Sequence, residues 1–341
     1  YIGWLGHGNL GDEVMFAAIR SLLPGCDLIP FGGVRKERLL ANQCLSGRQM
    51  FDAIILGGGT LINPGYVPVV RLAADRGVPL YAFGTGVGSC GFSEESNPAL
   101  DGWADLLKRF RAVGVRGPHS KDALDELGVP AVRVIGDPAL SLAPAELPPP
   151  PPRPRLAVNL ALPASGRYGE GEYACYRQVA AIARKFRQDG GDVVGVALGD
   201  GDEQALWRFA ADAGVPPACT VRCRRAGEFF QAVGGAVALI GVRLHSAVLA
   251  ACVGVPAMLL SYRAKCLDFM ASMDLGQFAV PLAPGCDDRV RSCFETLRGS
   301  PGLRLTMLER AAALRSEQRR LAARVGGDVA GLERLAVARS E

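Results

Sequence analysis

Val237-Ala238-Leu239-Ile240-Gly241-Val242-Arg243-Leu244-His245-Ser246-Ala247-Val248-Leu249-Ala250-Ala251-Cys252 reads as an apolar strand passing through a turn into a small apolar helix. Short apolar runs that feed directly into helices are the mark of parallel sheets covered on both faces. The junction presents a fixed cation, Arg243, and a titratable imidazole, His245. Residues two apart in an extended segment point to one side, so the two are expected to face one ligand together.

The same alternation extends outward through the second half. Strands are expected at Leu156 to Leu160, Asp192 to Ala197, Thr220 to Arg222, Val237 to Ile240 and Ala257 to Leu260. Helices fit Tyr173 to Asp189, Glu203 to Ala213, Ala226 to Ala232 and Ser246 to Cys252. The first half repeats the pattern, with strands at Tyr1 to Leu5, Ala53 to Leu56, Leu80 to Gly84, Ala112 to Val115 and Val132 to Ile135. Its helices fit Asp12 to Leu22, Val67 to Arg76, Leu100 to Arg109 and Pro118 to Leu127.

The proline run from Leu147 to Arg155 can join neither a helix nor a central strand, so it marks a linker. The expected organisation is an N-terminal Rossmann-like domain over 1–147, a linker over 148–155, a second Rossmann-like domain over 156–302 and a helical tail over 303–341. The fold class is therefore α/β, with two doubly wound domains facing a central cleft. Ligands of open α/β sheets bind outside the carboxyl ends of the strands.

The 341 residues carry a formal net charge of +4 and contain ten cysteines. No dense Lys/Arg stripe with interleaved aromatics appears, which argues against a nucleic-acid partner. Cys219 and Cys223 lack partners at zinc-site spacing, so no metal centre is expected. The scattered cysteines read as reduced thiols of a cytoplasmic protein. The longest apolar stretch, Ala247 to Leu260, contains Gly254 and Pro256 and is too short to span a bilayer. Tyr1 falls inside a strand-like run, which leaves room for residues ahead of it. Arg310, Arg315, Arg319, Arg320 and Arg324 make the tail basic enough to touch an anionic membrane surface. The interspersed Glu309 and Glu317 favour an ordinary solvated helix.

Glycine turns mark several strand ends. Gly6-His7-Gly8-Asn9-Leu10-Gly11-Asp12-Glu13 precedes a helix start, where an anion is favoured. Its glycines match a dinucleotide fingerprint in spacing, but no acidic residue closes a following strand as ribose binding requires. Asp12 is either a helix cap or a carboxylate that holds or deprotonates an acceptor hydroxyl. Gly57-Gly58-Gly59-Thr60 brings backbone N–H groups near a ligand or simply makes a tight turn. Arg116 ends a strand of the first half as Arg243 does in the second, and two such arginines can clamp a phosphate. His245, with an unperturbed pKa of about 6.5, suits a proton donor; a lone histidine is also commonly structural. His7 and His119 rank below it.

These motifs together resemble the polysaccharide pyruvyl transferase family. The resemblance runs through G-H-G-N-L-G-D-E at Gly6, G-G-G-T-L-I at Gly57, G-V-R at Gly114, G-D-P at Gly136, G-V-R-L-H-S at Gly241 and G-V-P-A-M-L-L-S-Y-R-A-K ending at Lys265. It implies a glycosyltransferase-B-like fold and transfer of a pyruvyl group from phosphoenolpyruvate to a saccharide or lipid-linked saccharide, forming a ketal. Phosphoenolpyruvate would be a co-substrate, with no further cofactor. The resemblance implies that Arg116, Arg243 and Lys265 bind the donor anion and that His245 is the general acid. Asn9 and Asp12 match the family's first loop, and Gly58, Gly59 and Thr60 are loop or acceptor candidates. Arg263 stands where many members carry an acidic residue, and Ala197-Leu198-Gly199-Asp200 lacks a histidine frequent nearby. Two other readings are a nucleotide-sugar glycosyltransferase or epimerase of the same architecture, and a cleft-binding protein without turnover.

Overall fold

The second half builds one parallel sheet of six strands: β6 (Arg155–Asn159), β7 (Asp192–Ala197), β8 (Thr220–Arg222), β9 (Ala238–Gly241), β10 (Ala257–Ser261) and β11 (Ala279–Pro281). A computed structural model describes residues 1–31, 51–88, 100, 102–161, 172–282 and 285–338. The end of the tail, residues 339–341, lies outside the described residues. The strand order is β11-β10-β9-β6-β7-β8, so the chain winds one way from β6 and then the other. The reversal places β6 beside β9, and the crevice at such a switch point is where open α/β sheets bind ligands.

The residues explain why this sheet is central. Leu156, Val158, Leu239, Ile240, Met258, Leu259 and Leu260 are fully buried. Near-continuous apolar strands are what a parallel sheet covered on both faces requires. The helix Leu244–Cys252 is buried at every position, so it lies inside the layer rather than on the surface.

The first half forms a five-stranded parallel sheet from β1 (Ile54–Leu56), β2 (Gly59–Ile62), β3 (Leu80–Val87), β4 (Ala112–Val115) and β5 (Arg133–Val134). The expected first strand, Tyr1 to Leu5, is reduced to isolated bridges from Ile2 to Phe31 and Leu56. Positive φ angles at the nearby Gly6 and Gly8 fit a segment that leaves the extended path early. The expected helix at Leu100 to Arg109 shortens to Ala104–Leu107.

Two compact units result. The first contains Tyr1–His7, Met15–Ser141 and Ala313–Glu341; the second contains Gly8–Val14 and Leu142–Ala312. The tail is one helix, Leu303–Ala338, whose residues divide between the two units. In the second unit, Arg310 Nε donates to the Ser272 carbonyl at 2.7 Å. In the first, the fully buried Gln318 donates through Nε2 to the carbonyls of Ile135 at 2.9 Å and Asp137 at 2.8 Å.

One expectation about the cysteines is corrected. Cys175, in the helix Glu172–Gln188, forms a disulfide with Cys286, which caps the helix Asp287–Arg298. The partners lie 111 residues apart and meet only because the two helices pack together, so no local spacing announces the pair. No described helix is long and apolar enough to cross a membrane.

Candidate active site

The switch point of the second sheet positions the main candidate residues. Asn159 ends β6 and pairs with Gly241 at the end of β9. Its side chain spans three strands: Nδ2 donates to the Val196 carbonyl at 2.8 Å, and Oδ1 accepts from the Arg243 N–H at 3.0 Å. The buried Asn159 thus fixes the turn that follows β9, a role the sequence did not reveal.

Arg243 is the extended residue just before the helix Leu244–Cys252, with φ −70° and ψ 131°. Ser246 Oγ donates to its carbonyl at 2.6 Å. His245 therefore lies inside the helix, at its second position, and not on an extended strand with Arg243. The two side chains therefore do not share a strand face, contrary to the expectation from their spacing. An apolar run leading into an apolar helix gives no periodicity by which to locate the change.

The Arg243 guanidinium is gripped by Asp202, which no sequence motif marks. Asp202 opens the helix Asp202–Ala213 and is fully buried. Arg243 Nε donates to its two carboxylate oxygens at 2.9 and 2.7 Å, and Nη2 donates to Oδ1 at 2.6 Å. The carboxylate also accepts backbone N–H groups from Leu198 at 2.9 Å and Gly199 at 3.1 Å. The guanidinium lies so close over Gly199 that a Cβ there would stand 2.7 Å from Cζ.

The first glycine loop joins this same unit. The Leu10 N–H donates to the Leu198 carbonyl at 2.9 Å, and Asn9 bridges antiparallel to Gly199. Asn9 Nδ2 donates to Asp12 Oδ2 at 2.5 Å, while Asn9 Oδ1 accepts from the Gly11 N–H at 3.3 Å. Gly11 faces His245 so closely that a Cβ at this position would be 2.0 Å from Nδ1. Asp12 sits near enough to His245 and Lys265 for both charges to act on it. Its pKa is nonetheless raised, because burial outweighs the opposing pull of His245, the Asn9 hydrogen bond and Lys265.

Lys265 occupies the second position of the helix Ala264–Ser272, which follows β10. His245 holds the same position in the helix after β9, and β9 and β10 are paired neighbours. Two helix N-termini, an imidazole and an ammonium thus lie along one carboxyl edge, an arrangement that favours an anion. Lys265 Nζ also lies 5.2 Å from the centre of the Tyr262 ring. The structure therefore brings together Asn9, Asp12, Arg243, His245 and Lys265 in one unit.

Arg116, Gly58, Gly59 and Thr60 belong to the first unit. Arg116 follows β4 and is only 1% exposed, unlike the solvated arginine common at strand ends. Its Nη1 donates to the Gly59 carbonyl at 3.0 Å, so it braces the glycine turn where Gly59 adopts φ +109°. Thr60 is partly buried beside it in β2, and Gly58 packs against Met15 and Pro138. His7 stacks on Trp4 with ring centroids 4.0 Å apart, and His119 is exposed on the helix Pro118–Glu126.

Doubly wound parallel sheets, with basic residues gathered at a carboxyl edge of the second, define a protein of the glycosyltransferase-B-like α/β class. The family profile of the polysaccharide pyruvyl transferases matches residues 9–263, and the chain belongs to that family. No curated protein matches the chain in sequence. Among solved structures, a putative UDP-N-acetylglucosamine 2-epimerase from Listeria monocytogenes is similar, with TM-score 0.57, 12% identity and 90% coverage of each chain. The UDP-GlcNAc 2-epimerase from Neisseria meningitidis, bound to UDP-GlcNAc, gives TM-score 0.54 and 11% identity, covering 92% of this chain and 97% of that one. The enzyme from Methanocaldococcus jannaschii gives TM-score 0.53 and 10% identity, covering 85% and 90%. At these identities the likeness is one of fold.

Proposed function

We propose that the protein transfers the pyruvyl group of phosphoenolpyruvate to two hydroxyls of a saccharide, or of a lipid-linked saccharide precursor, forming a ketal and releasing phosphate. The observation that carries this reading is the convergence of Asp12, His245 and Lys265 at one carboxyl edge, in a chain of this family. Arg243, Lys265 and the two helix N-termini receive the donor's phosphate and carboxylate. His245 protonates the methylene carbon of the enol, which leaves an oxocarbenium centre on the neighbouring carbon. One acceptor hydroxyl adds there and loses its proton to Asp12, whose raised pKa makes it a stronger base than an ordinary carboxylate. Phosphate then departs with its bonding pair, and the second hydroxyl closes the ring ketal, its proton returning to the His245 imidazole while phosphate takes up the one held by Asp12. The overall exchange needs no redox partner and no metal.

In this reading the enzyme works in the cytoplasm, where a lipid-linked acceptor would bring it to the inner face of the membrane. Incubation with phosphoenolpyruvate and candidate glycans should release phosphate and give a product of the mass of the pyruvylated glycan. An absence of phosphoenolpyruvate binding in calorimetry overturns the proposal. Thermal stabilisation by UDP-sugars, without any by phosphoenolpyruvate, would favour a nucleotide-sugar enzyme instead.

Asp12→Asn tests the base and its pH dependence. A carboxyl whose folded pKa is raised favours folding when protonated, and that contribution is lost as pH rises through the folded pKa. The ionised form of Asp12 therefore costs stability. Asp12→Asn is expected to raise Tm at neutral pH, with the gain shrinking once the pH falls below the usual carboxylate range of about 4. Phosphate release should fall in the same variant. Thermal melts across this range check the sign, and a Tm lowered at neutral pH would contradict it.

A further inference from the structure

We propose that Asp202 is the positioning residue of the donor site, holding Arg243 in the one orientation that meets the donor anion. The inference rests on the donor-binding reading of Arg243. A fully buried carboxylate is costly unless it is paired and hydrogen-bonded, and among the described residues Asp202 is satisfied through this turn and this arginine. The guanidinium is planar, so fixing its Nε–Nη2 edge against Asp202 also fixes the direction of the opposite edge. Gly199 forms the floor under that plane and leaves no space for it to tilt inward.

The same carboxylate reaches the first loop. By binding the N–H groups of Leu198 and Gly199, Asp202 shapes the turn on which Asn9 and Leu10 pair. Arg243 and the loop carrying Gly11 and Asp12 are thus set by one buried charge. Without it, an arginine of many rotamers would lose its fixed aim, and the cost would fall on donor affinity.

Asp202→Asn keeps the side chain's size and removes its charge. The KM for phosphoenolpyruvate is expected to rise about 10-fold or more, the loss typical of a charge-assisted hydrogen bond, with a much smaller change in kcat. In an Arg243→Ala background the same substitution should add little, because Asp202 acts through Arg243. Gly199→Ala provides a second route if Asp202→Asn fails to fold: its methyl displaces the guanidinium while Asp202 stays in place, and the same rise in KM is expected. Folded variants with an unchanged KM overturn the inference. So does an Asp202→Asn effect of equal size with and without Arg243, which would reduce Asp202 to a support for the turn. If Arg243→Ala by itself leaves phosphoenolpyruvate affinity unchanged in calorimetry, the donor reading of Arg243 falls, and this inference falls with it.

Discussion

His245→Ala is expected to bind phosphoenolpyruvate with nearly unchanged affinity while kcat falls by about 10²–10⁴, the typical worth of a positioned general acid. The asymmetry follows from where charge changes during the reaction. On the proposed reading, Arg243, Lys265 and two helix N-termini hold the donor anion in the ground state, and most of that set survives the substitution. In the transition state, on the same reading, a proton moves from the imidazole to carbon. A loss shared by kcat and kcat/KM marks an interaction made only in the transition state. His245 is 9% exposed, so removing it also empties packed space. His245→Gln preserves more of the volume without the imidazole and should lose turnover to a similar extent. Calorimetry with phosphoenolpyruvate and steady-state phosphate release separate the two quantities. Equal losses of binding and turnover would identify a structural histidine.

Gly11→Ala should cost turnover nearly as much, although it touches no substrate. Gly11 is the second residue of the helix Leu10–Leu22, and alanine favours helices over glycine by about 1 kcal/mol. Helix propensity alone therefore forecasts a more stable protein. Contact forecasts the opposite for function. The added methyl would stand 2.0 Å from His245 Nδ1 and 2.6 Å from Cε1, so the imidazole must move. The helix that carries His245 is buried throughout and cannot shift with it. A misplacement of about 1 Å can cost about 10² in rate. The expected signature is a folded protein whose kcat drops about 100-fold. Phosphate release measured beside a thermal melt checks it, and an active Gly11→Ala enzyme would detach His245 from the chemistry.

Much of the architecture was readable because buried parallel strands are written as apolar runs. Leu156 to Leu160 and Val237 to Ile240 show this plainly, and their strands lie within a residue or two of the expected bounds. The start of the helix at Leu244 was not readable, because apolar residues continue across the junction without a change of period. Part of the site was legible as motif: Asn9, Asp12, Arg243, His245 and Lys265 all stood at strand ends. Asp202 was not, since an acidic residue at a helix start is ordinarily a favourable surface charge. Its meaning depends on Arg243, 41 residues away, and on a burial that no local pattern records. Asn159 was hidden similarly, as a polar residue ending an apolar strand. The link between Cys175 and Cys286 required knowledge of helix packing across 111 residues.

The crossing of Gly8–Val14 into the second unit has a practical consequence for dissecting the enzyme. A fragment cut at the proline run would inherit Arg243, His245 and Lys265 but not Asn9, Gly11 or Asp12. The imidazole would then lose the backbone wall beside its Nδ1, and the turn at Leu198 and Gly199 would lose its partner segment. The two halves of this gene product are not interchangeable cassettes. Swapping the second half onto a relative's first half would transplant the cations while borrowing a foreign carboxylate, so chimeras should retain activity only when the graft carries residues 8–14 along with it.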